Sequence, residues 1–253
     1  MNDRMPSVSV IIPTRNRPLL LARALGSVRE QGYASLEVLV VNDGDGDGVT
    51  DVQEVVRASG LRIRVLRAPI RGQVAARNTA VRAAIGEVLA CLDDDDVWLP
   101  GHVDRLLAAL SSGAEAAHAD GVIEVRSGAV LQEQMYFGLE ARPETLARTN
   151  PVLMSGLAYR RALHDKVGLY DPALPHYHGW DWHLRMSAAV PLVRVPQAGV
   201  RVHVEASGGS ASDPNNPAVQ GDFRRFRLKH GLSNLPQHTF LSALRDPGVT
   251  RGL

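Results

Sequence analysis

Short apolar runs alternate with amphipathic segments through the first hundred residues of the chain. Residues 8–12 and 36–41 are almost continuously apolar, which is typical of strands buried on both faces of a parallel sheet. Residues 61–66 alternate apolar and charged positions, which predicts a strand at a sheet edge or with one exposed face. A fourth apolar run covers residues 88–92. Helical spacing between the runs predicts helices over residues 18–28, 49–59 and 74–84. The order β-α-β-α-β-α-β predicts an α/β fold with a mostly parallel central sheet flanked by helices.

The second half of the chain has a less regular pattern. Strands are predicted over residues 114–125, 129–135 and 193–204, and a helix over residues 161–167. Residues 207–217 are rich in Gly, Ser, Asn, Asp and Pro, which predicts a mobile loop before a basic helix at residues 222–230. We therefore expect one domain over residues 1–210, followed by a flexible loop and a C-terminal helical tail over residues 211–253.

Composition and charge narrow the class of protein. The chain has 253 residues, of which 45% are hydrophobic and 22% charged, which excludes a disordered chain, a coiled coil and a disulfide scaffold. Its 28 basic and 27 acidic residues nearly balance, so no nucleic-acid partner is indicated. Cys91 is the only cysteine, which excludes an internal disulfide and favours a reducing compartment. No apolar run approaches the roughly 18 residues of a membrane span. We expect a cytoplasmic protein without a transmembrane segment, and peripheral contact with the inner membrane face stays open.

Polar residues follow three of the predicted strands. Open α/β sheets bind ligands beyond the carboxyl ends of their strands, so residues 13–17, 43–48 and 93–96 are expected to converge. Residues 93–96 are four consecutive aspartates, and their mutual repulsion requires a cation or hydrogen bonds nearby. Mg²⁺ and Mn²⁺ bind carboxylate oxygens and share their coordination with substrate phosphates. The run therefore suits a metal bound to a diphosphate, and a solvated acidic turn or a helix cap is the alternative.

Four motifs occur in order along the first half of the chain. They are VSVIIPTRNR at residues 8–17, VVNDG at 40–44, AARN at 75–78 and LDDDD at 92–96. This series resembles the successive donor-site motifs of the GT-A-fold, family 2 glycosyltransferases. The resemblance implies a Rossmann-like GT-A fold and an inverting hexosyltransferase that uses Mg²⁺ or Mn²⁺. The donor would be a nucleoside-diphosphate sugar, UDP-type, and the acceptor a hydroxyl of a glycan, a lipid-linked molecule or a small molecule.

The resemblance also implies roles for individual residues. The nucleotide-binding residues would be Pro13, Thr14, Arg15, Asp43, Arg77, Asp93 and Asp94, and the metal ligands Asp95 and His203. Asp43 would accept a hydrogen bond from the base, and Arg77 would lie near the base or the phosphates. Asp93 and Asp95 match the family's DxD pair, with Asp93 towards the ribose and Asp95 towards the metal and the diphosphate. The alternatives are a turn residue for Asp43, an exposed helix cation for Arg77 and a surface histidine for His203.

The residue that accepts the proton of the acceptor hydroxyl is less clearly indicated. In the family this general base comes from an acidic pair that opens a helix, and the corresponding positions here are His178 and Gly179. Asp181 is the nearest carboxylate and the first candidate for the base. His178 is the second, because its ordinary pKa of about 6.5 suits proton transfer near neutrality. An ion pair between Asp181 and Arg185 four residues later is the alternative for Asp181.

Three further interpretations compete with a transferase. Without the acidic pair, the chain could bind a nucleotide sugar and lack transferase activity. Residues 43–54 match the EF-hand calcium loop, with Asp43 at its first position and Glu54 at its twelfth. That loop needs a preceding helix, whereas residues 36–41 predict a strand, so we favour the nucleotide pocket. Zinc at His176, His178 and His183 matches no standard ligand spacing.

Overall fold

A computed structural model describes residues 7–44, 47–206, 215–238 and 240–245 of the chain. The strands in this part are β1 (Val8–Thr14), β2 (Leu36–Asn42), β3 (Ile63–Arg67), β4 (Val88–Cys91), β5 (Val97–Trp98), β6 (Ala116–Ser127), β7 (Val130–Phe137), β8 (Leu157–Arg160) and β9 (Leu192–Glu205). They form one sheet in the order β3-β2-β1-β4-β8-β6-β9-β5, with β7 paired to β6.

Strands β1 to β4 form a parallel part of the sheet. β1 lies between β2 and β4 and is parallel to both, with Val8 opposite Leu36 and Val88. β3 pairs with β2 at the end of the strand order, which confirms the edge position predicted from its alternating pattern. β8 then pairs antiparallel with both β4 and β6, and β6 runs parallel to β9. The sheet is therefore mixed, and the carboxyl ends of its parallel strands β1, β2 and β4 lie at the predicted ligand-binding edge.

Helices cover both faces of the sheet. They are α1 (Pro18–Arg29), α2 (Asp47–Ala58), α3 (Gln73–Ala83), α4 (His102–Ser111), α5 (Pro143–Leu146), α6 (Leu163–Val167), α7 (His178–Ala189), α8 (Pro217–His230) and α9 (Phe240–Arg245). Val10 and Ile12 of β1 pack with α1 and α4 in one core cluster, whereas Ile11 packs with α3 and α7 in another. Successive strand residues point to opposite faces. Burial of both faces therefore explains the continuous apolar runs of β1 and β2. Cys91 is buried in the second cluster.

The C-terminal part packs beside α7. α8 contributes Phe223 and Phe226 to a third apolar cluster, which also contains Tyr177. The helix begins at Pro217, earlier than predicted, and the Asn216 side chain caps it by accepting a hydrogen bond from the Ala218 amide. Of the predicted loop at residues 207–217, residues 207–214 lie outside the described residues.

Several elements in the middle of the chain were not predicted, among them β8 and α4. β8 has only four residues, too few for periodicity to separate a strand from a loop. α4 begins after Gly101, whose φ of 71° lies in the left-handed region, so a glycine there lets the chain turn into the helix. Among the helices of the described residues, none has the length and apolar character that a membrane span requires.

Candidate functional site

The loops that follow β1 and β2 pack closely against each other. Asn16 has a φ of 52°, a left-handed conformation that asparagine tolerates better than most residues. A Cβ atom at Gly44 would lie 1.9 Å from the Asn16 Oδ1 atom, so a glycine at position 44 permits this approach. The Asp43 amide donates to the Thr14 carbonyl oxygen at 2.9 Å. The ends of β1 and β2 therefore converge. Pro13 and Thr14 are buried there, and Arg15 is exposed beside them.

Asp43 joins a third loop to this edge. Its Oδ2 atom accepts a hydrogen bond from the Gly72 amide at 2.9 Å, immediately before α3. The bond fixes one carboxylate oxygen of Asp43 and ties the loop after β3 to the loop after β2. Strand β2, and not a helix, precedes Asp43, which disagrees with an EF-hand. Of the residues in that calcium motif, Asp45 and Gly46 lie outside the described residues.

The four aspartates after β4 differ in their partners. The Thr14 Oγ1 atom donates to Asp94 Oδ2 at 2.6 Å, which brings the ends of β1 and β4 together. Asp93 forms an ion pair with Arg77. Asp96 accepts from the Ser155 hydroxyl at 2.5 Å and from the His203 amide at 3.3 Å.

Asp95 is the most exposed of these four carboxylates, with 40% of its side chain accessible, and the Arg17 guanidinium lies 2.8 Å from its Oδ2 atom. The run is thus held by neighbouring groups, as its self-repulsion requires.

Burial makes the acidic run harder to ionise. It raises the pKa of Asp94 to about 6, although Thr14 and Arg17 act in the opposite direction. Burial, followed by the charges of Asp93 and Asp95, also raises the pKa of Asp96. Burial, followed by the Asp93 charge, raises the pKa of Asp95 as well. A site that disfavours its own negative charges in this way gains from an added cation.

His203 lies against the end of this run. Its Nδ1 atom is 2.9 Å from the Asp95 carbonyl oxygen, so the predicted metal ligands Asp95 and His203 are neighbours. Burial, together with the Arg23 charge, lowers the pKa of His203, which leaves its ring neutral and able to bind a metal. Over the described residues no group of three His, Cys, Asp or Glu could hold a metal ion. One carboxylate and one imidazole fit a Mg²⁺ or Mn²⁺ ion that takes its remaining ligands from a diphosphate and water.

A cavity of about 260 Å³ opens beside Asp93. At the carboxyl edge of the sheet it is lined by Arg77 and Asp93. The other walls come from α7, through His178, Gly179 and Trp180, and from the C-terminal part, through Phe223, His238 and Phe240. The positions that correspond to the family's acidic pair therefore face the same space as the first aspartate of the run. The mixture of aromatic and polar walls suits a ligand that has both apolar surface and hydroxyl groups.

Arg77 is a buried cation at the floor of this cavity, with 1% of its side chain exposed. Its Nε and Nη1 atoms have no hydrogen-bond partner in the described part of the chain. Burial opposes the charge, but Asp93 raises the pKa of Arg77 above its ordinary value, so it stays protonated. The Nε and Nη1 atoms have almost no accessible surface, so Arg77 favours an anionic group in the cavity through its charge. The alternative of an exposed helix cation is wrong.

His178 begins α7 and lines the cavity. Its Nδ1 atom lies 2.9 Å from the Pro175 carbonyl oxygen. A carbonyl oxygen only accepts, so Nδ1 carries the proton and Nε2 carries the free lone pair. Burial, followed by the Arg77 charge, lowers the pKa of His178 to about 4. At neutral pH the ring is therefore uncharged and has a lone pair for a proton, but it is a weaker base than its ordinary pKa of about 6.5 predicts.

Asp181, the first candidate for the base, has a different environment. It has no exposed side-chain surface, and it is not among the residues that line the cavity. Its carboxylate pairs with Arg185 at 2.7 Å, Lys229 at 2.7 Å and His230 at 2.9 Å. Burial acts in the opposite direction, but these hydrogen bonds hold the pKa of Asp181 well below 3.8. The structure does not suit Asp181 for proton abstraction, because its oxygens are already shared by Arg185, Lys229 and the ring of His230. It links α7 to α8 instead.

The other histidines and tryptophans divide between the cavity and the core. His176 pairs with the buried Asp222 at 2.6 Å, and His183 Nδ1 lies 2.9 Å from Asn150 Oδ1, so neither is arranged around a common metal. Trp182 is fully buried among core aromatic rings, whereas Trp180 lines the cavity.

Sequence patterns missed several residues of this site. The Ser155 hydroxyl accepts from the Asp93 amide at 2.9 Å and donates to Asp96, so it shapes the acidic run from a segment about 60 residues later in the chain. Phe240 and His238 reach the cavity from the C-terminal part. Nothing in the local sequence marks these residues, because their role depends on distant partners.

Comparison with known proteins identifies relatives of the chain. The model of the family described as Glycosyl transferase family 2 matches residues 9–168. The uncharacterized glycosyltransferase YwdF of Bacillus subtilis (strain 168) is 30% identical over 248 residues, which cover 96% of this chain and 91% of the relative.

The GalNAc(5)-diNAcBac-PP-undecaprenol beta-1,3-glucosyltransferase of Campylobacter jejuni subsp. jejuni is 31% identical over 142 residues, or 55% of this chain. The match spans about half of that relative, 46% of its length.

A solved structure supports the fold. The S. aureus protein TarS, residues 1–349, in complex with UDP-GlcNAc, superposes with a TM-score of 0.65 at 17% identity. The superposition covers 91% of this chain and 68% of TarS. At this identity the likeness concerns the fold, and together with the family match it confirms the predicted α/β GT-A architecture. Because the family match covers more than half of the chain and YwdF aligns over almost all of it, the chain belongs to glycosyl transferase family 2.

Proposed function

We propose that this glycosyltransferase moves a sugar from a UDP-type nucleoside-diphosphate sugar to an acceptor hydroxyl, with inversion and with the help of Mg²⁺ or Mn²⁺. One observation carries the proposal: Asp93 and Arg77, at the donor edge of the sheet, line the same cavity as His178 and Gly179, at the start of α7. A donor diphosphate and an acceptor hydroxyl can therefore meet in one space, as a displacement reaction requires. The complex of TarS with UDP-GlcNAc supports a UDP donor.

The residues divide into donor and acceptor groups in this proposal. Thr14 and Asp43, together with Pro13 and Arg15, bound the nucleotide pocket, with Asp93 and Asp94 facing the ribose side. Arg77 acts on the diphosphate through its buried positive charge, next to Asp93 at the cavity. A divalent metal at Asp95 and His203 would neutralise the charge of the leaving diphosphate.

His178 takes the role of the general base. The acceptor oxygen attacks the anomeric carbon, the bond from that carbon to the diphosphate breaks, and the hydroxyl proton passes to His178 Nε2. The Nδ1 bond to Pro175 holds the ring in the tautomer that this transfer needs. The acceptor class is open between a glycan, a lipid-linked molecule and a small molecule. The name of the Campylobacter relative, which includes an undecaprenol-linked acceptor, favours a lipid-linked one.

The experiment compares two histidines of the same cavity. The full chain is incubated with Mn²⁺ and a panel of UDP-sugars and acceptors, and UDP release and product are followed. His178→Gln should reduce kcat by about a hundredfold or more, the usual contribution of a general base, and leave UDP affinity unchanged. His183→Gln is the matched control and should reduce kcat less than about tenfold. Equal losses in both variants would remove His178 from the role, and absence of UDP-sugar binding in the wild type would refute the whole proposal.

A second function has an observation in its favour. Gly179 occupies the second position of the family's acidic pair, so the chain lacks a carboxylate where its relatives are expected to have the base. A nucleotide-sugar-binding protein without transferase activity would show metal-dependent donor binding and no turnover with any acceptor mixture. A calcium module at residues 43–54 is disfavoured by the strand β2 that precedes it.

A further inference from the structure

Both predicted metal ligands face an arginine from the start of the chain. The Arg17 Nη1 atom lies 2.8 Å from Asp95 Oδ2 and 3.4 Å from Asp94 Oδ1. The Arg23 Nη2 atom lies 2.9 Å from His203 Nε2. Arg17 immediately precedes α1 and Arg23 belongs to it. Helix α1 and its N-cap residue thus place one guanidinium against each predicted metal-binding side chain.

The tautomer of His203 makes its contact with Arg23 specific. The Nδ1 atom faces the carbonyl oxygen of Asp95 at 2.9 Å, and a carbonyl oxygen only accepts, so Nδ1 donates. The lone pair of the neutral ring is then on Nε2, and Arg23 donates to it. A metal ion would need the same Nε2 lone pair and the same exposed oxygen of Asp95. The arginines and a metal ion therefore compete for identical atoms.

The remaining aspartates of the run offer a metal ion little else. Asp93 is paired with Arg77, and only 4% of the Asp94 side chain is exposed, beside Thr14. Asp96 is buried beneath Ser155. Glu124 Oε2 also lies 3.4 Å from His203 Nε2, but Glu124 is held by Arg126 and Arg201. A metal at this edge would therefore depend on Asp95, His203 and the oxygens of a diphosphate.

We propose that Arg17 and Arg23 are resident counter-cations that hold Asp95 and His203 in the donor-free protein, so that a divalent metal reaches these ligands only together with a nucleotide diphosphate. The diphosphate then accepts the hydrogen bonds of the displaced guanidinium groups, which match phosphate geometry. The inference rests on the metal-assisted reaction proposed above and adds an order of binding, in which the metal enters only with the nucleotide. Metal and nucleotide bind cooperatively, since neither alone compensates for all the charges of the site.

The test measures Mn²⁺ binding directly, by the electron paramagnetic resonance of free Mn²⁺, with the full chain and without nucleotide. The wild type should bind Mn²⁺ weakly alone and more tightly with UDP. The double variant Arg17→Gln, Arg23→Gln should bind Mn²⁺ alone about tenfold more tightly, because two guanidinium charges and two competing hydrogen bonds are removed. Its gain on adding UDP should shrink accordingly.

Arg29→Gln is the matched control. Arg29 belongs to the last turn of the same helix α1 and is exposed, so its loss removes one guanidinium charge from the helix that carries Arg23. This change should alter Mn²⁺ affinity less than about twofold at physiological ionic strength, since distant exposed charges are largely screened. An equal gain in this control, or no gain in the double variant, overturns the inference. UDP affinity in metal-free buffer is measured in parallel. Its absence in the wild type counts against the proposed function, whereas the nucleotide-free Mn²⁺ comparison still decides the role of the arginines.

Discussion

Gly179→Asp returns a carboxylate to the position where the family's acidic pair is expected. A Cβ atom at Gly179 would lie 2.9 Å from the Met154 Cε atom and 3.9 Å from the His183 Cε1 atom. The closer atom is the end of a flexible side chain, so Met154 can move at small cost. Gly179 is the second residue of α7, where loss of a helical glycine and gain of a negative charge each stabilise the helix by about 0.3–1 kcal/mol. These gains offset the partial burial of the new carboxylate. We expect the free energy of unfolding to change by less than about 1 kcal/mol, or roughly 2–4 °C in Tm.

The expected gain is in turnover. A positioned general base contributes about 10²–10⁴-fold, and in the proposed reaction His178 would supply part of this in the wild type. Gly179→Asp should therefore raise kcat by about tenfold and restore much of the activity that His178→Gln loses. UDP release in a coupled assay measures kcat, and thermal melting confirms the fold.

Gly179→Asn is the control for the carboxylate. It has nearly the same size and no basic oxygen, so no gain in kcat is expected. If Gly179→Asp folds and binds UDP-sugar but turns over at the wild-type rate, position 179 is not near the reacting hydroxyl, and the cavity is not where the acceptor is deprotonated. An equal gain in Gly179→Asn would show that packing, and not basicity, changed the rate.

Three other predictions test the site and its frame. Asp181→Asn should lower the free energy of unfolding by about 1–3 kcal/mol at pH 7, because Arg185 and Lys229 lose a buried anion while Lys229 keeps Asp171 and Arg185 keeps two carbonyl partners. Since the pKa of Asp181 is held below 3.8, this difference in urea unfolding should shrink as the pH falls below that value. Gly44→Ala should weaken UDP binding and cost about 1–3 kcal/mol, because its Cβ would overlap the Asn16 side chain; calorimetry and melting measure both. If His178 is the base, its ionisation should appear in the pH profile of kcat/KM near pH 4, below a separate step near pH 6 from Asp94, and His178→Gln should remove only the lower step.

Local sequence was sufficient for the parallel part of the fold. The continuous apolar runs of β1 and β2 reflect burial on both faces, and the alternation in β3 reflects its place at the edge. Strand endings also predicted which loops would meet, since parallel strands share one carboxyl edge. Thr14 and Asp94 do meet there, at 2.6 Å.

The acceptor side depended on contacts that local patterns do not encode. Asp181 and His178 are three residues apart at the start of one helix, and the sequence ranked Asp181 first. Their environments differ because Lys229 and His230 of α8 close over Asp181, whereas His178 faces the cavity. An ionisable group near a reaction centre takes its role from its neighbours, and here the decisive neighbours lie about 50 residues away along the chain.

The sequence by itself determined the order of strands and helices as far as β4, the acidic run at its end and the family to which the chain belongs, because these follow from local periodicity and contiguous motifs. Only the tertiary structure decided which of the charged side chains are paired and which are available. Arg17 reaches Asp95, Arg77 lies buried under the cavity and Asp181 fastens α8. Electrostatic pairing depends on distance in space and on burial, and neither is fixed until the distant segments have packed together.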